Sequence, residues 1–221
     1  MLLVLAIRHA GTEVPTLIIG TIPLWTMLLG KPLGLKWSSL LPGLLLTSAG
    51  LLLMMSAMNP VAVTPEAAAG ASAGWGIFLA LGAMLSWTAF AVLNAVWLKR
   101  HPEVNATEWA NWLGIATGLG ALLLWWAAGS EVNVLLALEN RGLAAMVCIA
   151  LGIGSAWVAT ILWNVASQRL SGSLCGQLIV SETLFALLYS FVWDQAWPSA
   201  LQGLAAGLFM LGILASIRAH R

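Results

Sequence analysis

The feature that most limits what this chain can become is a series of long apolar stretches. They fall at about 14–30, 39–57, 75–98, 109–128, 142–167, 173–193 and 199–217. All but the sixth lack charged residues, and the sixth holds a single one, Glu182. Each is near the roughly 20 residues a helix needs to cross about 30 Å of hydrocarbon. No alternation with a ten-residue period runs through them, so a strand barrel is excluded. The chain is 61% hydrophobic and only 8% charged, too few charges to coat a soluble fold of this size, where about a quarter of residues carry charge. These observations predict an all-α, polytopic membrane helix bundle with seven full transmembrane helices.

The segments between the spans carry turn and charge signals: "GKPLGLKW", "NPVAVTPEAAAGASAG", "KRHPEVNATE", "GSEVNVLLALENRG", "RLSGS" and "DQAWPS". Trp37, Trp75, Trp97, Trp109, Trp125, Trp126, Trp193 and Trp197 lie near span ends, where an aromatic belt anchors helices at the interface. Folding seven spans back from a cytoplasmic C-terminus puts Lys31, Lys36, Lys99, Arg100, Arg169, Arg218 and Arg221 inside. Only Arg8 and Arg141 then fall outside. The positive-inside rule therefore places the C-terminus in the cytoplasm. Before the first span, "MLLVLAI" is too short to cross and has no features of a signal peptide. It reads as the last two turns of a helix, a stub left by a truncated or misplaced start.

A net charge of +1 gives no sign of nucleic-acid binding. Cys148 and Cys175 read as small buried residues with no reason to pair. His9, His101 and His220 show no metal-ligand spacing. Neither a metal nor a cofactor is expected, and the partners implied are the lipid bilayer and a small-molecule solute.

Residues 6–51 lie over 166–211 without gaps, and Trp37-x-Ser-x-Leu-x-Gly-Leu repeats at Trp197. An odd number of spans separates the copies, so they have opposite orientation. Inverted repeats around a site near the midplane mark many secondary transporters.

The stretch "QLIVSETLFALLYSFVWDQAWPSALQGLAAGLFMLGILASIRA" (177–219) resembles the closing helix pair of EamA-type permeases in the drug/metabolite transporter superfamily. "AMLSWTAFAVLNAVWLKRHPE" (83–103) and "ATILWNVASQRLSGS" (159–173) also resemble that family's second half. There a Glu-Pro often opens the middle of the penultimate helix. Here Glu182 is followed by Thr183, and Pro23 fills the matching slot of the first copy. The resemblance implies ten helices in two inverted sets of five, in a bacterial cytoplasmic (inner) membrane. Residues 1–57 would then be the end of the first repeat, 58–74 an extracytoplasmic linker and 75–221 the second repeat. It implies a secondary transporter, an exporter of small metabolites or drug-like solutes by alternating access.

Candidate site residues follow from polarity at membrane depth. Glu182 costs on the order of 3 kcal/mol to insert, and such residues generally serve function. It reads either as a binding or proton-carrying group or as a bond between helices. Asn164 is a cavity candidate, and Asn94, one turn from Lys99, a boundary residue. Trp25, Trp87, Trp157 and Trp163 lie deeper than the belt and either pack or line a cavity. Pro23 can kink its helix and mark a gate. Gly114-x3-Gly118, Gly172-x3-Gly176 and Gly203-x3-Gly207 suit close helix contact.

Two other readings compete. One is a non-transporting remnant, folded or not, left by truncation. An intramembrane enzyme would use Ser155 in "GIGS" or His9 and Glu13 in "HAGTE", but no span holds a histidine to activate Ser155. The chain has no phosphate-binding Gly-x(4)-Gly-Lys-Ser/Thr motif either, so it is not expected to be an enzyme or an ATP-driven pump.

Overall fold

The computed structural model describes residues 1–11, 13–57, 71–129, 140–195 and 197–220. Glu66, Glu131, Glu139, Arg221 and most of the 58–74 linker lie outside the described residues. Every regular element described is helical: α1 Leu2–Ala10, α2 Glu13–Gly20, α3 Ile22–Leu29, α4 Trp37–Ala57, α5 Ala71–Arg100 and α6 Ala106–Ala128. There follow α7 Arg141–Leu151, a π-helical segment Gly152–Val158, α8 Ala159–Arg169, α9 Gly172–Asp194 and α10 Ala200–Ala219. Helix satisfies every backbone group within its own segment, which hydrocarbon demands.

Local sequence sets the helix starts. The Asn105 side chain accepts from the backbone N–H of Thr107 and Glu108 at the start of α6. Ser171 caps α9 through the N–H of Leu174. Ser199 and Gln202 form a reciprocal capping box on α10. Gln195 ends α9 in the left-handed region with φ 51°.

Among the described residues, six helical stretches have the length and apolarity to cross a membrane. The expected first span does not reach that length, because residues 14–29 form a shorter apolar stretch divided into α2 and α3. Pro23 has no N–H to give Ile19, so the α2 ladder cannot run on into α3. Thr21 sits in the break and donates its hydroxyl to the Ile18 carbonyl at 2.6 Å. The segment before the first expected span forms α1, whose Ala6 packs with Leu79 and Ala80 of α5. The stretch at 142–167 is helical but interrupted by one wide-turned π segment that spacing alone did not predict.

The chain divides into two compact units, Met1–Leu93 with Leu170–Arg221, and Asn94–Arg169. Within the first unit, α3 pairs with α9 and α4 pairs with α10. Both pairs are antiparallel, since contacts descend one helix as they climb the other. Gly43 meets Gly212 and Ser216, whereas Gly50 meets Phe209 and Ala205. Gly30 meets Gly172 and Ser173, and Gly176 meets Thr26 and Met27. The Gly30–Gly172 approach is the tightest of these that is made by backbone. A Cβ on Gly30 would stand 2.6 Å from the Gly172 carbonyl carbon, while the Ser173 N–H donates to the Gly30 carbonyl at 2.8 Å.

The other expected small-residue contacts are not made. A Cβ on Gly114, Gly118, Gly203 or Gly207 would meet no atom within 4 Å. These glycines lie on open faces, and sequence spacing does not say which face of a lipid-embedded helix is covered. Cys148 is likewise exposed rather than buried, whereas Cys175 is buried.

Candidate solute cavity

The first unit holds a partly open cavity of about 310 Å³. Its wall is formed by Thr16, Leu17, Gly20 and Pro23 from α2–α3, and by Thr47, Leu51, Met54 and Met55 from α4. Val180, Thr183, Ala186 and Leu187 of α9 and Phe209 of α10 complete it. The helices that line it are the ones carrying the two sequence copies. At one end of the α3–α9 pair, Gly30 and Gly172 bring the backbones together. Gly20 and Pro23, on either side of the α2–α3 break, both line the cavity.

The lining is apolar apart from the hydroxyls of Thr16, Thr47 and Thr183, and no ionisable side chain is part of it. Thr47 is 3% exposed and Gln177, one turn before the α9 wall, is 0% exposed. Gln177 Nε2 donates to Thr47 Oγ1 at 2.9 Å, linking α9 to α4. The Thr47 and Gln177 groups also crowd Gly212, where a Cβ would lie 2.8 Å from Thr47 Oγ1.

Of the residues singled out from sequence, only Pro23 reaches this wall. Glu182 precedes Thr183 by one residue but is exposed on a neighbouring face of α9. That face also carries exposed Phe185 and Tyr189, whose rings stack at 6.5 Å. No hydrogen bond or ion pair joins Glu182 to another described residue. Trp25 and Trp87 are exposed. Trp163 is half-buried, and Trp157 donates its indole N–H to Asn111 at 2.8 Å.

Asn164, 0% exposed, belongs to a closed polar cluster in the second unit. Asn94 Nδ2 donates to Asn164 Oδ1 at 3.1 Å, and Trp109 Nε1 donates to Asn94 Oδ1 at 2.8 Å. Asn164 Nδ2 donates to the Ala106 carbonyl at 3.3 Å. Trp109 also stacks on Trp97 at 4.1 Å, so these two tryptophans pack together as well as marking a span end. At the adjoining turn Glu103 is held below the usual carboxylate range, first by a hydrogen bond from its own backbone and then by His101.

Sequence reasoning passed over Thr16, Thr47, Thr183, Met54, Met55 and Phe209. The available signal was modest: Thr47 and Gln177 are uncharged polar residues well inside apolar spans, and each copy of the repeat contributes to one wall.

Among the described residues no three His, Cys, Asp or Glu side chains come together as metal ligands. Ser155 lies exposed in the π segment and His9 in the last turn of α1.

Six membrane-length helices among the described residues and a cavity lined by no ionisable side chain define a polytopic membrane protein. The chain is 30% identical to inner membrane protein YtfF of Escherichia coli (strain K12) over 230 aligned positions, covering 97% of this chain and 70% of that protein. It belongs to the family of that inner membrane protein. No protein-family model matches it. A crystal structure of another protein shares the fold with a TM-score of 0.75 at 20% identity, over 100% of this chain and 72% of that one.

Proposed function

We propose that the chain is a secondary transporter of the EamA type, moving small metabolites or drug-like solutes outward across the bacterial inner membrane by alternating access. The observation that carries this reading is the cavity itself, which lies where the helices of the two sequence copies meet in antiparallel pairs. Such a meeting point is where inverted-repeat transporters hold their solute. In this reading the fold is part of a five-plus-five inverted repeat with a cytoplasmic C-terminus. The Gly30–Gly172 contact closes the cytoplasmic end of the α3–α9 pair, and the break at Thr21 gives α2 a place to move. Glu182, unpaired and one residue from the cavity wall, would then couple solute movement to a proton or meet a cationic group in the transport path. Asn164 and the inner tryptophans Trp25, Trp87 and Trp163 are pathway candidates that do not form part of this cavity wall.

Two experiments test the proposal. Reporter fusions at Ala69 and Arg221 should give opposite signals, and equal signals would break the inverted topology. Cells expressing the chain should also differ from cells expressing Ala186→Trp, which fills the cavity. A set of small molecules should be depleted inside and enriched outside with the wild type alone. Indistinguishable metabolite profiles at equal membrane levels would remove the transport reading.

A further inference from the structure

We propose that the α2–α3 break and Thr183 of α9 give the cavity a polar pair, the Gly20 carbonyl as an acceptor and the Thr183 hydroxyl as a donor. The solute class that follows is an uncharged molecule with a compact apolar body and one group that both gives and takes a hydrogen bond, such as a carboxamide. The assignment rests on the cavity being the solute site of the proposed transporter and names what that site takes.

The break leaves backbone acceptors without their helical donors. Pro23 has no N–H, so the Ile19 carbonyl one turn back loses its donor. The Leu24 N–H, which would serve the Gly20 carbonyl in an unbroken helix, donates to the Thr21 carbonyl at 3.0 Å, and the Trp25 N–H joins it there at 3.3 Å. Of the two carbonyls left over, the one at Gly20 belongs to the cavity wall. A glycine has only backbone to present, so the wall at this point is peptide. A Cβ there would meet Leu51 Cδ1, another wall atom, at 3.4 Å. Irregular backbone at membrane depth is tolerated where it lines a cavity, and broken helices with unwound carbonyls hold ligands in several transporter folds.

Thr183 supplies the other half. Val180, Thr183 and Leu187 follow one another at i, i+3 and i+7, a single stripe of α9, and all three line the cavity. Thr183 is the middle of that stripe. Threonines in helices commonly give their hydroxyl to a carbonyl one turn back, as Thr26 does to Ile22 at 2.9 Å and Thr160 to Ala156 at 2.6 Å. Thr183 makes no such bond to any described residue. The other two hydroxyls of the wall are engaged: Thr47 exchanges hydrogen bonds with Gln177, and Thr16 has a partner of its own.

The two halves occupy matching slots. In the overlay of 6–51 on 166–211, Gly20 lies over Val180 and Pro23 over Thr183, and all four line the cavity. The remainder of the wall sets the solute's body. It holds no ionisable side chain, and an uncompensated buried charge is strongly disfavoured. The volume, about 310 Å³, lies at the bottom of the range for ligand pockets, about 300–1,000 Å³, which suits one substituted ring.

The test uses the full chain in lipid nanodiscs and fluorinated probes of similar size, read by 19F line broadening against empty nanodiscs. 4-Fluorobenzamide gives and takes a hydrogen bond, 4-fluoroacetophenone only takes one, and 1-ethyl-4-fluorobenzene does neither; 4-fluorobenzoate and 4-fluorobenzylammonium carry charge. The expected order is the amide first, the ketone weaker by about tenfold, the ethyl compound weaker again and both ions weakest. Thr183→Val, equal in shape, should weaken the amide and the ketone by about tenfold each and leave the ethyl compound unchanged. Thr183→Ser should keep the wild-type order. Pro23→Ala returns an N–H and lets α2 run on into α3, so it should erase the amide's advantage over the ketone while the ketone keeps its affinity. A merely structural role for Pro23 would move all three neutral probes together.

An ethyl compound that binds as tightly as the amide, the result expected of a cavity filled by lipid tails, overturns the proposal. A donor preference that persists in Pro23→Ala overturns the role of the break, and equal shifts of all three neutral probes in Thr183→Val overturn the role of the hydroxyl. Tighter binding of either ion overturns the solute class. Failure of every probe to bind, or binding unchanged by Ala186→Trp, also overturns the proposal. The transport reading falls only if Ala186→Trp leaves the export profile unchanged as well.

Discussion

Two buried polar clusters of nearly equal burial sit in different parts of this molecule and do different work. Asn94 and Asn164, with the Trp109 indole and the Ala106 carbonyl, form a chain of hydrogen bonds in the 94–169 unit. None of those residues lines the cavity. Thr47 and Gln177 are as well buried, yet Thr47 faces empty space large enough for a solute. The first cluster reads as a clamp between helices, where the alternative to a hydrogen bond is an unsatisfied group in hydrocarbon. The second is a reciprocal clamp, Gln177 Nε2 donating to Thr47 Oγ1 and Thr47 Oγ1 to Gln177 Oε1, that borders the cavity. Polarity at membrane depth therefore does not identify a site until the empty volume beside it is known.

The comparison can be broken most severely at the glycines that hold the first unit together. Gly30→Ala forces a methyl against the Gly172 backbone and should cost about 1–3 kcal/mol or more through overpacking. Gly203→Ala meets no atom and should be neutral or stabilising by up to about 1 kcal/mol from helix propensity. Denaturant titration in mild detergent reads the difference, and equal effects would remove the α3–α9 contact from the account.

Next comes the closed cluster. Asn164→Leu strands Asn94 Nδ2 and removes the bond to the Ala106 carbonyl, and should cost about 1–3 kcal/mol. The metabolite profile of export should be kept. A lost profile at unchanged stability would make Asn164 a solute contact. The double change Thr47→Val with Gln177→Leu removes both partners at once, strands nothing, and should leave stability within about 0.5 kcal/mol of the wild type.

The smallest effect on stability belongs to Glu182→Gln. The side chain is exposed and unpartnered among the described residues, so unfolding should move by less than about 0.5 kcal/mol. Under the transport proposal the variant loses the pH dependence of export. An unchanged pH profile would leave Glu182 with no part in coupling.

Much of the helix plan was legible from the chain. The stretches at 39–57, 75–98, 109–128, 173–193 and 199–217 correspond to α4, α5, α6, α9 and α10, because unbroken apolar length is a strong signal. The matched Trp-x-Ser-x-Leu-x-Gly-Leu pointed to α4 and α10, which do pack together. Faces were not legible. A soluble helix shows its buried side as an apolar stripe, but a helix in lipid is apolar all round. For that reason Gly172 and Gly203 looked alike, although one is wedged against Gly30 and the other is open. The same blindness hid the cavity. Charge drew attention to Glu182 and the amide drew it to Asn164, while Thr47, ordinary in any apolar helix, stood at the wall. Pro23 was visible because a missing N–H acts locally, whatever surrounds it.

The most direct measurement of the central claim, that this cavity is a water-accessible site inside a membrane bundle, is the alkylation rate of single cysteines by N-ethylmaleimide. Only a thiolate reacts, so a thiol facing hydrocarbon stays inert. In a chain with Cys148→Ala and Cys175→Ala, three positions are compared: Thr183→Cys on the cavity wall, Gly118→Cys on the open apolar face of α6, and Asn164→Cys in the closed cluster. The account predicts fast labelling at position 183, slowed when Ala186→Trp fills the cavity, and slow labelling at 118 and 164. Labelling at 118 as fast as at 183, or at 183 unaffected by Ala186→Trp, would contradict it.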